Sequence, residues 1–195
     1  MDHAGILGAA HGGQLDDLKT IVPKRDHDLL DAATNQIKAT MQHIGVSRQT
    51  FGLIHADFHA GNFLFHRGEV RAIDFDACSF GYFLSDIAAT TRMCDHPRYD
   101  EATVLHHFLA GYRSVRPLPS DLARHINTFK AANNLMLAIW ITSRRDNPLI
   151  QSFATNFIKK QLGQMDSHLK NTCSICQSQK LNLLIHIGLK HYFRF

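Results

Sequence analysis

The sequence predicts an α+β domain that is mainly α-helical, with a short β-hairpin near its middle. Apolar residues recur at helical spacing in several stretches on both sides of that hairpin, which is the pattern of amphipathic helices. Two short apolar and β-prone runs, Phe63 to Phe65 and Val70 to Ile73, are separated by a four-residue loop that contains Gly68. With 195 residues and 45% hydrophobic content, the chain can bury one core of ordinary size.

The part of the chain before residue 50 predicts one long helix, preceded by a segment that is either a short helix or a loop. Gln14 to Pro23 is predicted as a short helix or loop whose inward positions are Leu15, Leu18 and Ile21. Asp28 can cap a longer helix that runs to about Ile44, and Gly45 is a suitable residue to end it.

The part after the hairpin predicts a connector and then four helices. The segment Ala77 to Phe83 is predicted as a connector, because it contains Gly81 among aromatic residues. The predicted helices run from Ser85 to about Met93, from Tyr99 to Tyr112, onward from Ser120, and onward from Pro148 with Asn147 as its cap.

Composition excludes several classes of protein. The net charge of +4 carries no long basic run and no nucleic-acid motif, and the four cysteines are too few and scattered for a disulfide scaffold. No run approaches the roughly 18 apolar residues of a membrane span, and the start does not read as a signal peptide. We therefore expect a soluble cytoplasmic protein without a membrane or nucleic-acid partner; the oligomeric state is left open.

The central motif is His55-Ala-Asp57 followed, after four residues, by Asn62. Kinase-type catalytic loops use this spacing to place a base beside a metal ligand. Folding the hairpin back pairs Phe65 with Val70 or Arg71, and places Asn62 opposite Ile73 or Asp74. An amide oxygen and a carboxylate then meet at one end of the hairpin, and such hard oxygen ligands suit Mg²⁺.

The segment from residue 53 to residue 88 resembles the aminoglycoside phosphotransferase and choline kinase family, whose fold is similar to that of protein kinases. The matching stretches are 55–62, 73–76 and 86–88, read as His-Ala-Asp-Phe-His-Ala-Gly-Asn, Ile-Asp-Phe-Asp and Asp-Ile-Ala. The resemblance implies the large C-terminal lobe of that fold, with ATP as phosphoryl donor, Mg²⁺, and a small-molecule hydroxyl or amino-alcohol substrate.

The resemblance also implies a role for each matching residue. Asp57 would be the catalytic base, and Asn62 and Asp74 would hold metal ions. His55 would brace the loop, and Asp86, at a helix start, would anchor the loop backbone from beneath.

Further residues near these motifs have less defined roles. Asp76 is a candidate metal ligand, or a residue that contacts the metal ligands. His59 is more simply explained as a structural histidine. In this family the helical part of the large lobe binds the acceptor, so residues after Asp86 would line the acceptor pocket. The acidic residues that could contact a cationic amine there are Asp95, Asp100 and Glu101.

The N-terminal β-lobe of such kinases, with its glycine-rich cover and paired lysine, has no counterpart before Asp57. We expect a large lobe over residues 1–170, an atypical tail over 171–195, and little kinase activity from this chain alone. The chain would then be a truncated product, a non-catalytic remnant, or one that a separate chain complements with the small lobe.

Alternative interpretations exist for each motif. Asp57, Asn62 and Asp74 are also residue types that cap turns. His55, Asp57 and His59 alternate and could offer three ligands to zinc in a metal-dependent hydrolase. In the tail, one set of Cys and His residues either has a spacing similar to that of a zinc finger or coincides by chance: Cys173, Cys176, His186 and His191.

Overall fold

The structure, a computed structural model, describes residues 13–92 and 100–192, with side chains described as far as residue 171. Its helices are α1 (Leu15–Ile21), α2 (His27–Ile44), α3 (Phe83–Ala89), α4 (Glu101–Val115), α5 (Ser120–Ala123), α6 (Ile126–Ser143) and α7 (Pro148–Tyr192). Its strands are β1 (Phe51–Ile54), β2 (Phe63–His66), β3 (Glu69–Ala72) and β4 (Ser79–Tyr82). The prediction of a mainly helical α+β fold is confirmed.

The core is built around α6, which packs against α7 and α3 and also against α1 and α2. Its apolar side chains face these helices on several sides, so most of its residues are buried. Phe129 is 1% exposed, and its ring lies 5.6 Å from that of Tyr82. The Tyr82 hydroxyl donates a hydrogen bond to the Met41 carbonyl, which links the end of β4 to α2.

The predicted hairpin is confirmed, and its register is fixed by a tight turn. Phe65 pairs with Val70 across β2 and β3. Arg67 and Gly68 form the two-residue turn, with φ angles of 50° and 80°, which match the type of turn that follows the twist of a hairpin. The Ile73 N–H donates to the Asn62 carbonyl at 3.0 Å, so Ile73 is the residue opposite Asn62.

The connector predicted over Ala77 to Phe83 is wrong. Four of its residues form β4, which pairs antiparallel with β1 so that Gly81 lies opposite Gly52. A Cβ on Gly81 would lie 2.4 Å from Cδ1 of Ile54, so a larger residue here would require the Ile54 side chain to shift. The helix after it begins at Phe83 and ends at Ala89, earlier than predicted at both ends.

Several predicted helix details also differ. Asp28 lies inside α2, whose N-cap is Asp26, and Ile21 of α1 is 40% exposed and does not face the core. The helix predicted from Ser120 breaks after Ala123 and restarts at Ile126.

Asn147 caps α7 as predicted, through its side-chain oxygen and the Leu149 N–H at 2.9 Å. The α7 backbone continues past the expected domain boundary at residue 170.

No helix of the described ranges is long and apolar enough to cross a membrane.

Candidate active site

The loop that follows β1 is held from beneath by Asp86. Its two carboxylate oxygens accept hydrogen bonds from the backbone N–H groups of His55, at 2.8 Å, and Ala56, at 2.9 Å. Ala56 has a φ of 65°, a left-handed conformation that a non-glycine residue rarely adopts. The carboxylate therefore holds the loop in an uncommon shape directly before Asp57, which is the placement that the resemblance implies.

Burial raises the pKa of Asp86, although the two backbone hydrogen bonds from His55 and Ala56 act to lower it.

The His55 side chain joins the loop to the segment that carries Asp74. It is 5% exposed, and its Nε2 lies 2.8 Å from the carbonyl oxygen of Ile73. Its ring packs at 4.6 Å from that of Phe75 and at 5.4 Å from that of Phe58. The ring thus spaces the loop from the end of the hairpin, as a bracing residue would.

Asp57 lies among the side chains of Asn62, His59 and Arg92, of which Asn62 and Arg92 donate hydrogen bonds to it. Asn62 Nδ2 donates to the Asp57 backbone oxygen at 2.9 Å and to its Oδ2 at 3.2 Å. His59 Nε2 lies 3.4 Å from the same Oδ2, while Arg92 forms an ion pair with Oδ1. Burial alone would raise the pKa of Asp57, but the guanidinium of Arg92, with His59 and Asn62, outweighs it and holds that pKa below its ordinary value.

His59 has a structural position in the loop. Its Nδ1 accepts a hydrogen bond from the Gly61 N–H at 3.0 Å, at the start of the 3₁₀ turn Ala60–Asn62. Burial lowers the pKa of His59 despite the opposing charge of Asp57. A neutral ring with one nitrogen bonded to the loop fits the structural interpretation.

Asn62 and Asp74 lie next to each other in the hairpin register, because Ile73 is bonded to Asn62. Asn62 is 7% exposed, and since its Nδ2 is used on Asp57, the side-chain oxygen remains for a cation. Asp74 is exposed, has a φ of 65°, and forms no hydrogen bond or ion pair with any residue of the described ranges. An amide oxygen and a free carboxylate are the donor set that Mg²⁺ accepts.

Asp76 is exposed, and the structure shows no contact that draws it toward Asp57. Of the predicted acceptor contacts, Asp95 lies outside the described residues. The Asp100 carboxylate caps α4 through the Thr103 N–H at 2.7 Å. Glu101 forms an ion pair with the buried Lys130 and accepts a hydrogen bond from Thr91. Substrate contacts by these residues stay predictions.

Arg92 is the residue that sequence reasoning missed. It belongs to the turn that follows α3, and it is 35 positions from Asp57 in sequence. No motif includes it. Its one sequence signal is that it follows shortly after α3, the helix that carries Asp86.

The geometry disfavours the zinc hydrolase. His55 directs Nε2 at the Ile73 carbonyl, and His59 uses Nδ1 on the loop backbone. Within 13–92 and 100–171, no group of three His, Cys, Asp or Glu side chains could hold a metal ion.

Comparison with known protein families identifies the region that contains this site. Residues 7–118, more than half of the chain, match the family model described as "Phosphotransferase enzyme family". Amicoumacin kinase of Bacillus subtilis (strain 168) is 28% identical over an alignment of 103 residues, and the match covers 49% of this chain and 30% of that protein.

Solved structures share the fold. The microcompartment-associated aminopropanol kinase has a TM-score of 0.69 at 24% identity, over 82% of this chain and 50% of that one. The amicoumacin kinase hAmiN, in complex with AMP-PNP, Ca²⁺ and Ami, has a TM-score of 0.59 at 24% identity, over 75% and 47%. The chain thus spans about half the length of these structures and less than a third of the curated relative.

Proposed function

The chain belongs to the phosphotransferase enzyme family, and we propose that it provides the catalytic loop and metal ligands of an ATP-dependent small-molecule kinase. The reaction would move the γ-phosphoryl group of ATP to a hydroxyl of a small acceptor. The observation that carries this proposal is the arrangement around Asp57, on a loop that Asp86 holds by two backbone hydrogen bonds and directly beside Asn62.

In this proposal Asp57 is the general base. A carboxylate within hydrogen-bond reach of the acceptor hydroxyl takes up the proton that the attacking oxygen loses. Asn62 orients it, because its amide bonds both the backbone oxygen and Oδ2 of the same aspartate. His55 and Asp86 would act through Asp57, since they fix the loop that carries it.

Asn62 and Asp74 would hold the metal. The backbone register brings both residues to one end of the hairpin, and Asn62 bonds Asp57 directly. Two protein ligands would leave positions on the cation for phosphates and water. A Mg²⁺ held by Asn62 and Asp74 would supply positive charge against the phosphates. The AMP-PNP and Ca²⁺ in the hAmiN structure support a nucleotide and a divalent cation for this chain.

The acceptor would enter an open cavity of about 600 Å³ next to the catalytic loop. Phe58, the neighbour of Asp57, lines it together with Asp86 and with His107, Phe108 and Tyr112 of α4. The wall is mostly apolar and aromatic, which suits the carbon skeleton of an amino alcohol or larger acceptor. One structural relative is named as an aminopropanol kinase, so the amino alcohol aminopropanol is a reasonable first acceptor to test.

The nucleotide phosphates would need a cover from further polypeptide. Within the described ranges no glycine-rich strand pair with a lysine lies over the hairpin, whose apolar side chains are exposed: Phe65 76%, Val70 59% and Leu64 52%. An apolar surface of this kind suits contact with another part of a protein. We therefore propose that residues 1–195 by themselves bind ATP weakly and transfer phosphate slowly. A small lobe, on the same polypeptide or on another, would complete the site.

Nucleotide binding tests the metal ligands. AMP-PNP and Mg²⁺ would be titrated calorimetrically into the unaltered chain, into Asp74→Asn, and into the exposed control Asp121→Asn. We expect Mg²⁺-dependent binding that Asp74→Asn weakens at least about tenfold, because one charged ligand of the cation is lost, and that the control leaves unchanged. Binding without Mg²⁺ dependence, or equal in all three, would contradict the proposed metal site.

Phosphoryl transfer tests the base. ATP and aminopropanol would be incubated with the chain and followed by ³¹P NMR, with Asp57→Asn as the matched variant. We expect slow transfer that Asp57→Asn abolishes while AMP-PNP binding persists. Binding with no transfer, even after addition of a small lobe from a relative, would favour the non-catalytic remnant.

A further inference from the structure

Arg116 brings a positive charge to one end of the proposed acceptor cavity. It is the residue that follows α4, and it lines the cavity of about 600 Å³ together with Tyr112. Its guanidinium carbon lies 4.0 Å from the centre of the Phe83 ring, and its Nη2 donates a hydrogen bond to the Arg48 carbonyl at 2.7 Å. The guanidinium is therefore held in place at the wall of the cavity.

No carboxylate neutralises this guanidinium within the part of the chain that the structure describes. Its polar and ring contacts there are one backbone carbonyl and the Phe83 ring, and neither of these groups carries a negative charge. An arginine has five N–H donors in a planar fork. Because the Arg48 carbonyl takes up a single one of the two Nη groups, donors and a full positive charge remain for a ligand.

The charged groups at the cavity wall lie at opposite ends. Phe108 lines the cavity near the proposed base, because its ring lies 6.2 Å from that of Phe58, the neighbour of Asp57. Asp86 also lines this end, where it bonds the backbone of the catalytic loop. Arg116 follows Phe108 by eight positions, which corresponds to about 12 Å at the rise of an α-helix. A ligand in this cavity thus meets a carboxylate at one end and a guanidinium at the other.

We propose that Arg116 binds a carboxylate group of the acceptor, so that the site selects an elongated hydroxy acid. A guanidinium forms charge-assisted and often bidentate hydrogen bonds with a carboxylate. The aromatic wall formed by Phe58, Phe108 and Tyr112 would cover the carbon chain, and the hydroxyl at the far end would lie beside Asp57. A short amino alcohol would fill the loop end alone. The inference rests on the proposed kinase function for the fate of the hydroxyl, whereas the binding of the carboxylate stands on Arg116 itself.

Ligand binding without nucleotide tests this assignment. The probe is ω-hydroxyoctanoate, whose extended chain is comparable in length to the cavity, and octanediol is its matched neutral partner, with a hydroxyl in place of the carboxylate. Both would be titrated at neutral pH into the unaltered chain, Arg116→Gln, Arg116→Lys and the control Arg113→Gln, with binding followed by NMR. Arg113 is exposed on α4 and does not line the cavity, so the control removes the same charge from a neighbouring position.

We expect the unaltered chain to bind ω-hydroxyoctanoate at least about fivefold more tightly than octanediol, because the carboxylate accepts charge-assisted hydrogen bonds from Arg116. Arg116→Gln should remove this preference while its affinity for octanediol stays the same, which also shows that the cavity is intact in the variant. Arg116→Lys should keep part of the preference, since the charge remains and the planar fork is lost. Arg113→Gln should change neither affinity.

Several results would overturn the proposal. These are no binding of either ligand, equal binding of both by the unaltered chain, and the same loss of preference in Arg113→Gln, which would indicate an effect of net charge. An equal loss of both ligands in Arg116→Gln would show that Arg116 only holds the end of α4.

The AMP-PNP and Mg²⁺ titration with Asp74→Asn keeps this proposal separate from the proposed function. If Asp74→Asn weakens nucleotide binding as expected and the carboxylate gives no preference, the proposed function stands and the role of Arg116 is refuted. If the carboxylate preference depends on Arg116 but the nucleotide does not bind, the cavity is a carboxylate site and the kinase proposal fails.

Discussion

Replacing Asp86 by alanine should destabilise the fold and release the catalytic loop. The substitution removes the acceptors of two backbone N–H groups, those of His55 at 2.8 Å and Ala56 at 2.9 Å. A hydrogen bond to a charged group contributes about 1.5–3 kcal/mol, so the pair gives about 3–6 kcal/mol before any cost is counted.

Two terms reduce that figure. Burial of the Asp86 carboxylate, which raises its pKa, costs free energy that the alanine variant does not incur. Ala56, with a φ of 65°, can also relax once its N–H is released, which returns about 1–2 kcal/mol. We expect the free energy of unfolding to fall by about 2–4 kcal/mol at neutral pH.

Urea unfolding followed by circular dichroism measures this loss. Asp166→Ala is the matched control. Among the described residues its carboxylate bonds only the Lys170 side chain, at 2.6 Å on the surface of α7, and such a pair contributes about 0.5 kcal/mol or less. The loop should be affected more than the fold, so Mg²⁺-dependent AMP-PNP binding should weaken in Asp86→Ala and not in the control.

The pH dependence gives a second check with a defined sign. Because the pKa of Asp86 is raised in the folded state, the folded protein binds its proton more readily than the unfolded chain does. The contribution of protonated Asp86 is fully present below the unfolded pKa and is lost as the pH rises through the folded one. The difference between the unaltered chain and Asp86→Ala should thus be larger at about pH 4.5 than at about pH 7. A loss below about 1 kcal/mol, or a difference that grows with pH, would refute the reasoning.

Two further predictions concern the core and the proposed base. Phe129→Ala should lower the free energy of unfolding by about 3–5 kcal/mol in urea, because Phe129 is 1% exposed, whereas Phe80→Ala, at a position 73% exposed, should change it by less than about 1 kcal/mol. For Asp57 the pKa lies below its ordinary 3.8, so its ionisation stabilises the fold above that value and the contribution is lost as the pH falls through the lowered pKa. Acid unfolding should therefore be less steep in Arg92→Gln, and an unchanged acid profile would show that the ion pair does not set this pKa.

The features that the sequence determined are those encoded within a few residues. The hairpin follows from two apolar runs around a short loop that contains Gly68. The loop is shorter than the four residues predicted, because His66 and Glu69 pair in the strands and leave only Arg67 and Gly68, with positive φ angles, in the turn. Helical spacing predicted most helices, and the 55–62 spacing predicted that Asn62 would lie beside Asp57. Helix ends were predicted less well, because several of them depend on what packs against the end, as at Phe83 where β4 leads directly into α3.

The tertiary structure alone decided the contacts between residues that lie far apart in sequence. Arg92 meets Asp57 across 35 positions, and Lys130 meets Glu101 across 29. No local pattern encodes such pairs, because they depend on how helices pack and on which charges become buried together. The β4 strand is a related case, since its pairing with β1 is a long-range contact that no turn in the sequence specifies. The sequence therefore determined which groups carry the chemistry, and the packing decided that an arginine holds the proposed base.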